Sequence, residues 1–122
     1  MTGAKVIGAL ALVALFAPAA SAQDAIAAFY KDKQINFYIG YPAGGAYDAY
    51  ARLVSRFMGK YIPGNPQIVP RNMQGGGGHI AAGYVANVAA PDGLSLGTAD
   101  NSMALSQVVG EKSLQFDVRN LQ

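Results

Sequence analysis

Side chains able to carry out covalent chemistry are scarce in this chain. It has one histidine, His79, no cysteine and seven acidic residues. His79 has no acid at a recognisable spacing and no second ligand nearby, which argues against a triad and against a metal site. It reads instead as a surface or supporting group. No G-x-S-x-G elbow occurs, no G-x-G-x-x-G, and no glycine loop followed by Lys-[Ser/Thr]. What remains is main-chain chemistry. Two glycine stretches, Gly40 to Asp48 (GYPAGGAYD) and Gly75 to Gly78, can each offer amide N–H groups at the positive end of a helix, where anions are favoured. Tyr41, Tyr47, Asp48, Asn72, Asn101 and Ser102 lie in or beside these loops. Such groups bind, and they do not obviously catalyse.

The loops need elements that hold them. Ile35 to Ile39 is short, apolar and β-branched, and reads as a strand entering the first loop. A helix follows from Ala46 to Tyr61, with Tyr50, Leu53, Val54, Phe57, Met58 and Tyr61 on one apolar face, and Pro63-Gly64-Asn65-Pro66 stops it. Asp48 in its first turn has two readings, a cap and a ligand contact. Gln67 to Arg71 is a second strand, which Pro70 either ends or confines to a sheet edge. The four glycines could be a flexible linker. Against that, a helix from Ile80 to Val88 follows with no Ser/Pro spacer, and its alanines keep it thin enough to pack closely on a sheet. Leu94 to Thr98 is a third strand, after the turn Ala90-Pro91-Asp92-Gly93, and Ala99 to Ser102 caps a third helix over Met103 to Val109. Asp24 to Lys33 reads as a short helix capped by Asp24, or as a frayed end. Phe116 to Arg119 trails off without a partner. Three strand–loop–helix units near 30 residues apart imply an α/β fold with parallel strands, the loops converging at the carboxyl ends. A shared hollow between the two glycine-lined helix openings is the expected site.

Residues 1–22 look like an export signal: Lys5, then the apolar run Val6 to Phe16, then Ala20-Ser21-Ala22 with cleavage near Ala22. Eleven apolar residues fall short of the roughly 20 a spanning helix needs. The expectation is a periplasmic protein whose residues 23–122 carry eight Lys and Arg against seven Asp and Glu. No basic cluster stands out, so nucleic acid is not an expected partner. Without cysteine, stability has to come from apolar burial.

Tyr41-Pro42-Ala43-Gly44-Gly45 with Asp48, then Asn72 to Gly78, then Pro91-Asp92-Gly93, resemble successive signatures of the periplasmic solute receptors of tripartite tricarboxylate transporters, the Bug-type receptors. The resemblance spans about Phe29 to Gln122. It implies a non-enzymatic, monomeric, two-lobed binding protein (type II-like) with no cofactor and no metal, which closes on a small carboxylate and presents it to membrane subunits. Carried over by motif, the ligand-binding candidates are Tyr41, Ala43, Gly44, Gly45 and Asp48, then Gly76, Gly77, Gly78 and His79, then Asn101 and Ser102. Gln74 and Gly76 stand where the family usually has proline and alanine, and Asp100 would repel a nearby carboxylate.

A receptor of this kind needs two lobes of ordinary domain size. Residues 23–122 therefore read as the N-terminal part of one lobe, with the second absent. Missing strands would leave a sheet edge and apolar surface uncovered, giving poor solubility or partial order and low affinity. Two other classes stay open: an exported enzyme fragment acting on a phosphate- or nucleotide-bearing substrate, and a small interaction domain whose glycine loops are purely structural.

Overall fold

The computed structural model describes residues 19–98, 100–112 and 114–121. Helix α1 (Ala19–Tyr30) leads into strand β1 (Gln34–Ile39), then α2 (Ala46–Met58) with a 3₁₀ turn at Gly59–Tyr61, β2 (Gln67–Asn72), a 3₁₀ turn at Gly76–Gly78, α3 (His79–Asn87), β3 (Ser95–Gly97), α4 (Met103–Val108) and a last 3₁₀ turn at Val118–Asn120. The expected α/β class is what forms: one three-stranded parallel sheet in the order β2-β1-β3. Pro70 sits on an edge strand, where its missing N–H costs no ladder bond, and β2 continues past it to Asn72.

The helices take opposite faces of the sheet. Phe37 lines a cavity with residues of α2, while its neighbour Tyr38 packs its ring against Tyr84 of α3 at 4.8 Å. Successive strand residues point to opposite faces, so α2 and α3 are on different sides of β1. Ile35, Ile39 and Ile68 are buried beneath α2, in register between β1 and β2. On the α3 side, Ala81 and Ala82 are buried and Val85 meets Gly97, where a Cβ would come within 3.2 Å of it. The alanine-rich helix therefore does sit close to the sheet.

Three expectations are corrected. Asp24 does not cap α1, which starts at Ala19, because Ala19, Ala20 and Ala22 are strong helix formers and extend it upstream. The helix thus runs through residues 19–22 of the expected export segment; residues 1–18 of that segment lie outside the described residues. The apolar face expected to bury α2 points largely outward: Tyr50 is 72% exposed, Leu53 53% and Tyr61 80%, whereas Asp48 and Ala51 are buried. The small Ala51 lets α2 approach the sheet, and the bonds of Asp48 described below set its rotation. Phe116 to Arg119 does find partners. Phe116 lies against Gly83 of α3, Gln107 donates to Asp117 (2.8 Å), and Asp117 accepts from the backbone N–H of Arg119 (2.9 Å).

Candidate functional site

The loops after β1, β2 and β3 meet at the carboxyl end of the sheet. Gly40 closes β1 so near to Gly78 that a Cβ on Gly40 would stand 2.6 Å from the Gly78 Cα. The second loop has a fixed shape. Gly75 to Gly78 have φ of 140°, 56°, 62° and 95°, a run that only glycine adopts without strain, so it is a built turn and not a linker. The third loop joins through Thr98, whose Oγ1 accepts from the Gly40 N–H at 3.0 Å, and through Asp100.

Tyr41 ties the three loops together. Its hydroxyl lies 2.6 Å from Asp100 Oδ2 and 3.0 Å from the Gly77 carbonyl oxygen. A phenol has one proton, and the shorter, charge-assisted bond to the carboxylate holds it. Burial, then the hydrogen bond to Asp100, push the Tyr41 hydroxyl well above the usual tyrosine range. The other Asp100 oxygen accepts from the backbone N–H (2.6 Å) and the hydroxyl of Ser102. Ser102 and then Tyr41 hold the Asp100 carboxyl down to about 2. The Tyr41 ring stacks on Tyr47 at 4.0 Å, with 10° between the planes.

Asp48 anchors the first loop. Its carboxylate is buried and accepts from the Gly44 N–H (2.9 Å), from Arg52 Nε (3.0 and 2.9 Å) and from Asn72 Nδ2 (2.7 Å). Arg52 Nη2 donates to Asn72 Oδ1 at 2.7 Å, and Asn72 Nδ2 also reaches the Tyr41 carbonyl at 3.0 Å. Side chains from α2 and β2 thus clamp the loop from below. Arg52, then Gly44, then Asn72 hold the Asp48 carboxyl well below the usual carboxylate range. The capping reading has its counterpart in the bond from the Gly44 N–H. It sits in the first turn of α2 and reaches back to an amide ahead of the helix, as an acid in a capping box does.

The expected site residues divide accordingly. Tyr41 meets Gly77 and Gly78, Asp48 holds the first loop through Gly44, and Ala43 and Gly76 are exposed. Several amides that were to meet a ligand are engaged within the protein: Gly44 with Asp48, Gly45 with the Pro42 carbonyl (3.4 Å), Gly78 with the Gly75 carbonyl (3.0 Å) and His79 with the Gly76 carbonyl. His79 is not a surface group. It is buried at the start of α3, with Nδ1 3.9 Å from a Glu111 carboxylate oxygen. Asn101 and Ser102 are exposed in the third loop; Ala99 lies outside the described residues. At their base the two glycine loops are in contact through Gly40 and Gly78, because glycine there removes the side chains that would hold them apart, whereas a Cβ on Gly44 or Gly77 would meet nothing within 4 Å.

Open space of similar volume lies on both faces of the sheet, about 400 Å³ beside α2 and about 390 Å³ beside α3. A cavity of about 400 Å³ is walled by Phe37, Tyr47, Tyr50, Val54 and Thr98, and takes no wall from the second glycine loop. Sequence reasoning left Arg52, Phe37 and Thr98 out of the site. The spacing of Asp48 and Arg52, four residues apart on one helix, was a usable signal for the first of them; Phe37 and Thr98 carry none. Among the described residues no group of three His, Cys, Asp or Glu could hold a metal, and no helix is long and apolar enough to cross a membrane.

No family model matches the chain, and neither a curated protein nor a solved structure is significantly similar to it.

Proposed function

We propose that the chain is part of one lobe of an exported solute-binding receptor that captures a small carboxylate at the carboxyl end of its sheet, and that in a complete receptor it serves membrane subunits of a tripartite-type transporter. The observation that carries this reading is the meeting of three loops there, where the Tyr41 hydroxyl donates to Asp100 and lies 3.0 Å from the Gly77 carbonyl oxygen. Ligands of open parallel sheets lie at such a point, where successive connections leave for opposite faces. The order β2-β1-β3 places that divergence beside β1, and α2 starts there. Arg52 neutralises Asp48, so the pair leaves the dipole of α2 in place, and the first-turn amides of a helix have no carbonyl behind them. Main-chain groups and aromatic rings suit binding better than catalysis.

A thermal-shift titration of the 122-residue chain with benzoate, succinate, citrate, phosphate and a nucleoside monophosphate tests this. One lobe offers half of a closed site, so millimolar affinity for a carboxylate is expected. Ligand at ten times its Kd then adds about 1.4 kcal/mol of stability. A shift with phosphate or the nucleotide alone would favour the phosphate-ester enzyme. No shift with any of the five would remove the receptor reading.

A further inference from the structure

We infer that the outward face of α2 docks a second copy of this chain, the two α2 helices lying antiparallel across a two-fold axis. The inference goes beyond the receptor reading and does not depend on it, and it departs from the monomer that the family resemblance implies. Asp48 and Ala51 hold one side of α2 to the sheet. About half a turn around the helix, Tyr50, Leu53 and Phe57 stand in water, joined by Tyr61 on the 3₁₀ turn that continues α2. Tyr47, Tyr50, Val54, Phe57 and Tyr61 follow one another at steps of three and four residues in alternation, the spacing of a seam between paired helices. This seam faces away from the sheet, so a second helix can lie along it without meeting the rest of the fold.

Area and charge choose the occupant. A covered aromatic side chain buries about 150–250 Å². Tyr47, Tyr50, Phe57 and Tyr61 are between 42% and 80% exposed. With Leu53 they offer about 500 Å², near the top of the range for an apolar patch on a monomer. Two such faces together remove about 1,000 Å² from water, the size at which a specific pair begins to hold. A pair this small is weak, so at low micromolar concentration the chain is a monomer with this face in water. Asp48 neutralises Arg52, which leaves Arg56 and Lys60 as the charges of α2, both toward its carboxyl end. Lys60 flanks the seam, its Nζ 4.7 Å from the centre of the Phe57 ring. Parallel helices would set each Lys60 beside its counterpart. Antiparallel helices set Tyr50 beside Tyr61 and Val54 beside Phe57, with the two Lys60 about 14 Å apart along the axis, beyond the roughly 8 Å over which charges act at physiological salt. A lipid surface is the poorer match, because it favours cations along the whole polar flank and the first two turns of α2 carry only the neutralised Arg52.

Sedimentation velocity of the 122-residue chain, from low micromolar to millimolar concentration, reads the mass. It should double across that range, and amide shifts of the labelled chain should move with concentration at Tyr50, Leu53, Phe57 and Tyr61. Tyr50→Glu and Tyr61→Lys change exposed side chains and should keep the circular dichroism melt of the dilute parent, while each weakens association at least about tenfold. Mixed in equal amounts, the two variants should pair again, because antiparallel packing sets the new acid beside the new base. A parent that keeps a single mass to millimolar concentration would overturn the inference. So would variants that associate like the parent, a mixture that does not recover, or a mass that grows past two copies. Sedimentation of the chain with vesicles of phosphatidylglycerol and phosphatidylcholine, without self-association, would assign the face to lipid and overturn it too. The receptor reading survives each of these outcomes.

Discussion

Replacing Gly40 by alanine tests whether the first two loops are pressed together. The added Cβ would lie 2.6 Å from Gly78 Cα and 3.2 Å from its carbonyl oxygen. Carbon atoms prefer about 3.5–4.0 Å, so the overlap is about 1 Å. Both obstructing atoms are backbone, and no side chain can rotate aside. Overpacking of this kind costs about 1–3 kcal/mol, offset by about 0.4–1 kcal/mol from the stiffer unfolded chain. A net loss of about 1 kcal/mol lowers the melting temperature by about 4–8 °C in a domain of this size. Gly110→Ala is the control. Its φ is +72° and nothing lies within 4 Å of the new Cβ, so left-handed strain alone should cost about 1 kcal/mol. Circular dichroism melts of both variants give the first readout. The ultraviolet titration of Tyr41 gives the second: parting the loops exposes its hydroxyl, so its ionisation should fall toward ordinary tyrosine in Gly40→Ala and stay put in Gly110→Ala. A Gly40→Ala protein that melts with the parent and keeps its tyrosine titration would refute the packed junction.

Further perturbations probe the clasp, the clamp and the outer face of α2. The Asp100 carboxyl is depressed to about 2, below the roughly 3.9 of an unfolded chain, so between these values the unfolded state holds more protons and stability rises with pH. Urea midpoints should therefore fall as the pH drops from about 4 to about 2, with a shallower fall in Asp100→Asn; an identical slope in the two proteins would contradict the clasp. Tyr41 is shifted the other way, so its contribution is complete below the ordinary tyrosine range and is lost as the pH rises through its raised value. Alkaline unfolding should accordingly be less steep in Tyr41→Phe, measured by fluorescence. Arg52→Met removes the strongest partner of Asp48, so the Asp48 carboxyl should titrate higher by NMR and benzoate should bind more weakly; unchanged affinity would separate the clamp from binding. Leu53→Lys and Tyr61→Lys alter side chains that point into solvent and should stay within about 0.5 kcal/mol of the parent while raising solubility. A loss above about 2 kcal/mol in chemical denaturation would mean that this face is packed in solution.

The sequence by itself determined the order and type of the elements. β-Branched runs, Pro-Gly turns and helical spacing are local signals, and they placed β1, β2, α3 and β3 within a residue of where they form and α2 correctly at its start, its expected last three residues forming a 3₁₀ turn instead. They also marked the glycine loops, because a run such as Gly75 to Gly78 has few uses other than left-handed backbone. Only the tertiary structure decided which side of α2 is buried. Periodicity pointed to Tyr50, Leu53 and Phe57, but a carboxylate on α2 meets an amide at the end of β2, 24 residues away, and that bond fixes the rotation of the helix. The partners of Asp100 and the fate of Phe116 were decided in the same way, by neighbours far along the chain. Local spacing determines which conformations a segment can adopt, whereas the surface it buries depends on partners that meet only once the sheet has formed.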